Sequence, residues 1–201
     1  MQARILRSAA AAATAFAIFL VVGASPASAT ALYSGAAKLG AGTELKWSEL
    51  TSVYFAGLNE SPIVTCAASN LDWTTGNAGG ASSTVSGAVG IKGMSFSSCT
   101  STVTVVEGGE LEIHHIAGSQ NVTLTARNFD IVIHVFGVQC GYTAGSGTDL
   151  EKIIGSSSST ASVSIHAETA KKTGGFLCPA NVLFIAGYDV TQPDPMHVTA
   201  S

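Results

Sequence analysis

Charged side chains are scarce in this chain, at 11% of its 201 residues. Positive charges are scarcer than negative ones, with nine Lys and Arg residues against 13 Asp and Glu residues. Only Lys171-Lys172 places two positive charges side by side. A nucleic acid or an anionic membrane attracts a cluster of positive charges, so this balance argues against both as partners. Because charges are few, Ser, Thr and Gly must cover much of the solvated surface, as is typical of extracellular β proteins.

Long hydrophobic runs are lacking after the first 29 residues. Two arginines near the start precede a continuous apolar run from Ala9 to Val22, and a small-residue cleavage pattern ends at Ala29. The run is short for a membrane span, so this order predicts a secretory signal peptide over residues 1–29. We expect residues 30–201 to be secreted or associated with the cell surface, with seven basic and 13 acidic residues and a net charge of −6.

Free thiols are not expected, because all four cysteines lie in the predicted mature chain. An even number in an exported protein favours two disulfides. Loop-closure entropy hardly distinguishes the three connectivities, since each closed loop contributes about 4 kcal/mol or slightly more. Neighbours in sequence are usually neighbours in a sheet, which favours Cys66–Cys99 and Cys140–Cys178. Cys99 does not share strand parity with the apolar Met94, so its strand must bulge or end nearby.

Helix signals are weak outside the first 29 residues, whereas strand signals recur about every 8–12 residues. The clearest half-buried strand surrounds Ile165, where apolar and polar residues alternate. The most apolar stretch, Phe129 to Tyr142, indicates a strand covered on both faces, with His134 as a core histidine. The pattern predicts an all-β fold: a two-sheet antiparallel, jelly-roll-like sandwich that forms a single domain over residues 30–201, preceded by the signal-peptide helix.

Histidines and carboxylates give a weak case for a metal site. His114 is two residues from Glu112 and His166 two residues from Glu168, so each pair shares one face of its strand. If the two strands were neighbours, the four side chains could bind zinc. The spacing alone specifies no such site, and exposed or hydrogen-bonded histidines are favoured. We therefore predict no metal and no other cofactor.

Calcium and catalysis have little support. Segment 145–149 with Glu151 resembles a loop that could hold calcium through oxygen atoms, but it lacks the spaced acidic ligands of a dedicated calcium loop, so a strand connection is favoured. The sequence has no nucleophile elbow, zinc-protease helix or phosphate-cradling glycine loop. A non-catalytic protein is therefore favoured over a hydrolase with an unrecognised site near His114, His134 or His166.

Aromatic residues offer one candidate binding surface. Trp47, Tyr54, Trp73 and Tyr142 could form a platform on which sugar rings stack, as in many secreted β-sandwiches. The alternative places Trp47 in the core and Trp73 near a disulfide. On the surface interpretation, the candidate binding residues are Trp47, Trp73, His114 and His166.

Seven short segments, spread over most of the mature chain, carry a resemblance to known proteins. They are Leu32-Tyr33-Ser34-Gly35, Gly42-Thr43-Glu44-Leu45, Ser97-Ser98-Cys99-Thr100, Leu111-Glu112-Ile113-His114, Gly137-Val138-Gln139-Cys140-Gly141-Tyr142, Gly147-Thr148-Asp149-Leu150 and Phe176-Leu177-Cys178-Pro179. Together they resemble a group of small secreted actinobacterial proteins of unknown function. The resemblance implies no catalytic residue. In architecture, the chain has a weaker likeness to the secreted alkane-oxidation activator proteins of pseudomonads, from which no function is transferred.

These features favour a secreted or cell-surface-associated β-sandwich with a non-catalytic role, either in binding or as a structural, self-assembling part of the envelope. The first alternative is a carbohydrate-binding module that uses exposed aromatics, and the second is an extracellular hydrolase. The sequence does not identify the partner. A cell-wall glycan and further copies of the chain are the candidates.

Overall fold

A computed structural model describes residues 30–77, 79, 84–116, 121–144, 148–153 and 161–200. Within them the chain is all-β, without a helix, and so no described helix offers a membrane-spanning segment. The predicted signal peptide, residues 1–29, lies outside the described residues. The strands are β1 Thr30–Ser34, β2 Ala37–Lys38, β3 Glu44–Ala56, β4 Pro62–Thr75, β5 Thr84–Ala88, β6 Met94–Cys99, β7 Val103–Glu107, β8 Glu110–His115, β9 Asn121–Arg127, β10 Phe129–Val135, β11 Val138–Ala144, β12 Thr148–Ile153, β13 Ser162–Thr173, β14 Asn181–Gln192 and β15 Met196–Ala200.

Most strands join one antiparallel sheet, in the order β12-β9-β8-β5-β4-β3-β14-β13-β11-β10-β7, with β6 also paired to β4. A second sheet has the order β15-β1-β2. The long sheet curls until its two halves face each other. Leu111 and Ala126 from one half and Phe129 and Ile165 from the other line the same interior cavity of about 30 Å³. The predicted antiparallel, sandwich-like all-β fold is confirmed.

Aromatic rings fill the centre of the interior. Phe184 on β14 stacks on Phe55 of β3, with ring centroids 5.3 Å apart. Trp47 and Trp73 meet edge to face at 5.8 Å. Trp73 also lies over Gly87, where a Cβ atom would come within 2.6 Å of the indole ring and 2.2 Å of a backbone oxygen. The sequence can place a tryptophan there because the neighbouring strand has no side chain at that point.

The stretch Phe129 to Tyr142 is a hairpin, so the single doubly covered strand that the sequence indicates is wrong. β10 and β11 pair in register around a two-residue turn at Phe136-Gly137, where φ is 51° and 79°. Ile133 faces the core, whereas His134 is half-buried on the other face and is not the core histidine that we predict. A phenylalanine is an unusual residue at the first position of such a turn, which usually carries Asn, Asp or Gly, and this hid the turn.

Both predicted disulfides are present. Cys66–Cys99 joins β4 to β6, and Cys140–Cys178 joins β11 to the connection that precedes β14. No free cysteine remains among the described residues. Two formed disulfides are compatible with an extracellular protein, because reducing compartments keep cysteines as free thiols.

The expected irregularity before Cys99 is also present. Ser98 has a φ of 51°, which reverses the alternation of β6 and turns Cys99 inward. β4 also reverses its alternation, between Cys66 and Ser69, opposite Ser98. Both residues are buried, although one has an even and the other an odd position in the chain. Because both strands change parity at the same place, their pairing keeps one register along its whole length.

Candidate functional site

Two connections at one end of the sheet carry the most exposed phenylalanines. Phe136, in the β10–β11 turn, is 85% exposed, and Phe176, in the β13–β14 connection, is 94% exposed. Leu177 beside it is 45% exposed. β11 and β13 are antiparallel and paired near Thr173, so the turn and the connection project from the same end. We call Phe136, Phe176 and Leu177 the apolar tip.

The β13–β14 connection is fastened to the sheet on both sides of its base. The Cys140–Cys178 disulfide ties it to β11, with the two Cα atoms 5.6 Å apart. The backbone N–H of Lys171 donates a hydrogen bond of 2.7 Å to the carbonyl of Ala180, which closes its base. Phe176 therefore projects from an anchored connection rather than from a long free loop.

Tyr142 supplies a third fastening from beneath the connection. Its ring is fully buried, and its hydroxyl donates a hydrogen bond of 3.2 Å to the carbonyl oxygen of Pro179. Burial raises the pKa of the Tyr142 phenol to about 12, because a phenolate would lose its hydration. The hydroxyl consequently remains a donor throughout the neutral range.

The backbone at Phe136 is strained as well as exposed. Its φ of 51° lies in the left-handed region, which costs an L-residue with a Cβ roughly 1–2 kcal/mol. Gly137, the second turn residue, adopts its φ of 79° without that cost. The ring of Phe136 gains no packing in return, since most of its surface faces solvent. Strained residues of this kind are concentrated at functional sites.

One positive charge lies beside the apolar tip. The ammonium of Lys171 is exposed and donates to the carbonyl of Cys178 at 3.4 Å. The neighbouring Lys172 forms an ion pair with Asp130. Burial alone would raise the pKa of Asp130, but hydrogen bonds from Lys172 and Thr143 outweigh burial and lower it. Lys172 is thus paired with a carboxylate, whereas the contact described for the exposed Lys171 ammonium is with a backbone carbonyl.

A second candidate site is a groove of about 580 Å³ over a bulge in β3. The pairing of β3 with β4 shifts register between Ser48 and Val53. The Glu49 carboxylate accepts a hydrogen bond of 3.0 Å from the N–H of Ser69 on β4. Bulges of this kind re-aim side chains and are common beside binding sites.

Apolar and hydroxyl side chains share the lining of this bulge groove. Leu50, Tyr54 and Ile185 supply apolar surface, and Leu50 is 56% exposed. Thr51 and the nearby serines supply hydroxyl groups. The groove lining therefore combines the two kinds of surface that an amphiphilic ligand such as a sugar needs.

A buried polar pair lies behind the groove. The Ser69 and Tyr188 hydroxyls share a hydrogen bond of 2.8 Å. Burial raises the pKa of Tyr188, and the hydrogen bond with Ser69 opposes that effect. Ser69 is only 1% exposed, so its hydroxyl is not placed to attack a substrate from solvent. The pair satisfies two polar groups in the interior.

The two tryptophans that we proposed for the aromatic platform lie in the core. Trp47 and Trp73 are 0% and 2% exposed, so neither presents a ring face on which a sugar could stack. Tyr142 is equally buried. Tyr54 is the half-exposed member of the four aromatics, and it lines the bulge groove. The alternative that places Trp47 in the core is therefore confirmed, and Trp73 is buried as well.

His114 and His166 lie on strands β8 and β13, which are not neighbours in the sheet. His114 Nε2 is 3.6 Å from Glu112 Oε2, as the spacing predicts, and that carboxylate also accepts a hydrogen bond of 3.0 Å from Arg127. His166 Nε2 instead lies 3.5 Å from Glu60 Oε1. The two His/Glu pairs therefore stay apart and do not assemble the joint zinc site that we considered.

Within the described part of the chain, no group of three or more His, Cys, Asp or Glu side chains could hold a metal ion. Of the segment considered for calcium, residues 145–147 lie outside the described ranges, and Thr148 and Asp149 begin β12. That part of the calcium hypothesis stays a prediction.

The sequence reasoning missed the apolar tip. It placed Phe136 within a strand and Phe176 in a segment with Cys178. Two signals were available, namely Gly137 inside an apolar run and the Gly174-Gly175 pair before Phe176. Glycines at these points mark turns, and a turn exposes the large residue beside it.

Comparisons with protein-family models, curated proteins and solved structures gave no match for this chain. The resemblance to small secreted actinobacterial proteins stays an expectation from the sequence. Function must therefore be inferred from the surface of the molecule.

Proposed function

We propose that this protein is a secreted or cell-surface-associated, non-catalytic binding protein that makes its contacts through the apolar tip. The observation that carries the proposal is Phe176, a phenylalanine 94% exposed on a connection cross-linked by Cys140–Cys178. Scattered apolar residues on a surface need no explanation, but grouped ones mark interaction sites. Here two aromatic rings and Leu177 project from one end.

Export is supported by two independent features. The first 29 residues have the charge, apolar run and cleavage pattern of a signal peptide. The two disulfides fit an oxidising compartment.

Fractionation of the envelope tests the proposal. The full-length chain is expressed with its own leader, and its distribution among medium, wall and membrane fractions is compared with that of the double variant Phe136→Asn/Phe176→Ser. We expect the wild type in the envelope fractions and the variant mainly in the medium. Ile91→Ser is the matched control, because Ile91 is 61% exposed in the β5–β6 connection, away from the apolar tip. An unchanged distribution of the tip variant, or retention of all forms inside the cell, would overturn the proposal.

A carbohydrate-binding role is the second candidate, and the bulge groove supports it. Tyr54 is partly exposed beside hydroxyl groups, in a groove of a size typical of small-ligand sites. Loss of glycan-array binding on Tyr54→Ala, with binding kept in Tyr33→Ala, would favour this role. Tyr33 is a suitable control, because it is half-buried in the second sheet, outside the lining of the bulge groove. There it stacks on His197 of the same sheet.

A further inference from the structure

We infer that the surface entered by the apolar tip is the headgroup region of a zwitterionic lipid layer. The inference rests on the proposed function and names the partner of the same site. Phe136, Phe176 and Leu177 would enter the layer, and Lys171 would meet a lipid phosphate.

The size of the apolar tip favours a lipid layer over a second copy of the chain. Two phenylalanines offer together about 400 Å² of apolar surface. A stable protein interface buries about 800 Å² on each partner. Insertion into a lipid layer has no such threshold, because each ring leaves water independently and the layer closes around it.

The shape of the apolar tip also suits shallow insertion. Phe136 lies in a two-residue hairpin turn and Phe176 in an anchored connection, so both rings are held on short segments that limit their motion. Their high exposure means that few protein contacts must be broken when they enter the layer. Preorganised anchors lose little conformational entropy on binding.

The charges favour zwitterionic over anionic lipid. Lys171 is exposed beside the connection and can pair with a phosphate, whereas Lys172 is already paired with Asp130. The chain from residue 30 onward carries seven basic and 13 acidic residues, a net charge of −6. A surface of the same sign would repel it at a distance of up to a Debye length. A zwitterionic layer offers the phosphate without that repulsion.

Vesicle sedimentation tests the inference on the exported protein with its disulfides intact. One set of sucrose-loaded vesicles contains phosphatidylcholine alone, and the other contains equal parts of phosphatidylcholine and phosphatidylglycerol. We expect binding to the first set and weaker binding to the second at low salt. Phe136→Asn/Phe176→Ser should weaken binding at least about tenfold, since two apolar anchors are lost. Lys171→Gln should weaken it less.

The controls separate the inference from the proposed function. Asn suits the left-handed turn at position 136, and Phe176 is 94% exposed, so the double variant should fold like the wild type. Ile91→Ser should bind like the wild type. Absence of vesicle binding by the folded wild type, or equal loss in Ile91→Ser, would overturn the lipid inference. If envelope fractionation still depends on the tip in that case, the proposed function stands with another partner. A tip-dependent dimer in sedimentation velocity would assign the tip to a second copy.

Discussion

Phe184 and Phe176 are the same residue type in two regions of this molecule with opposite environments. Phe184 is 3% exposed and packs on Phe55, Phe96 and Phe129 in the interior. Phe176 is 94% exposed at the apolar tip. Packing stabilises the folded state through the first ring, whereas we expect the second ring to contribute little to stability. The difference teaches that the packing of the interior does not use the rings of the apolar tip, which leaves them available for contacts with another surface.

The two regions are also held together differently. Aromatic rings in mutual contact stabilise the interior. A disulfide and hydrogen bonds beneath the β13–β14 connection hold Phe176 and Leu177 of the apolar tip in place. Stability and tip function should therefore respond to different substitutions.

The largest difference is expected from one truncation made in both regions. Phe184→Ala should lower the free energy of unfolding by about 3–5 kcal/mol, because it removes buried area and leaves a cavity. Phe176→Ala should change it by less than about 0.5 kcal/mol. Urea unfolding measures both values. Equal losses would show that Phe176 packs in solution and would remove the contrast.

The disulfides allow the anchoring of the apolar tip to be separated from global stability. Cys140→Ser and Cys99→Ser open loops of similar length, 38 and 33 residues, so each should cost about 2–4 kcal/mol. Only Cys140→Ser should also impair tip-dependent binding, because Cys140 anchors the connection that carries Phe176. Thermal unfolding and vesicle sedimentation are measured in parallel. Unchanged stability in Cys140→Ser would contradict the importance of this anchor.

Alkaline pH should weaken the anchoring by Tyr142. Its pKa is 10.0 in an ordinary environment and is raised to about 12 by burial, so the folded state favours the protonated phenol. This contribution is complete below pH 10 and is lost as pH rises to about 12. At neutral pH, Tyr142→Phe should cost about 1 kcal/mol through the lost hydrogen bond. The stability difference between wild type and variant should shrink over the alkaline range, and a difference that stays constant would rule out this coupling.

The last expected effect is a gain in stability. Phe136→Asn places a residue that tolerates positive φ in the turn and should raise the free energy of unfolding by about 1 kcal/mol. Phe136→Ala removes the same ring but keeps the strain, so it should bring no such gain. Chemical denaturation distinguishes the two variants. A less stable Phe136→Asn would show that the ring supports the fold after all.

Much of the fold was predictable because it depends on local patterns. Alternation around Ile165 predicts a half-buried strand, and this segment lies within β13 with Ile165 buried. The disulfide pairing that the structure shows was favoured because neighbours in sequence are usually neighbours in a sheet. The hairpin at Phe136-Gly137 was missed because apolar residues on both sides hide the turn. A single glycine was a weak signal against so strong a strand pattern.

The candidate sites were less predictable because they depend on direction and distance in space. Trp47 and Trp73 could point inward or outward from strands, and their burial was settled by where β3 and β4 lie in the curled sheet. His166 lies near Glu60 rather than Glu168, although Glu168 is closer in sequence. Contacts of this kind join strands that are distant in the sequence, and the sequence does not predict which strands become neighbours in the sheet.

The sequence by itself determined an all-β chain and favoured one pairing of its four cysteines, since side-chain alternation and cysteine order are encoded locally. Tertiary structure alone decided which aromatic rings are buried and which project into solvent. Burial depends on how distant strands fold over one another, and a large apolar residue placed on a turn at the end of a sheet has no neighbouring layer to cover it.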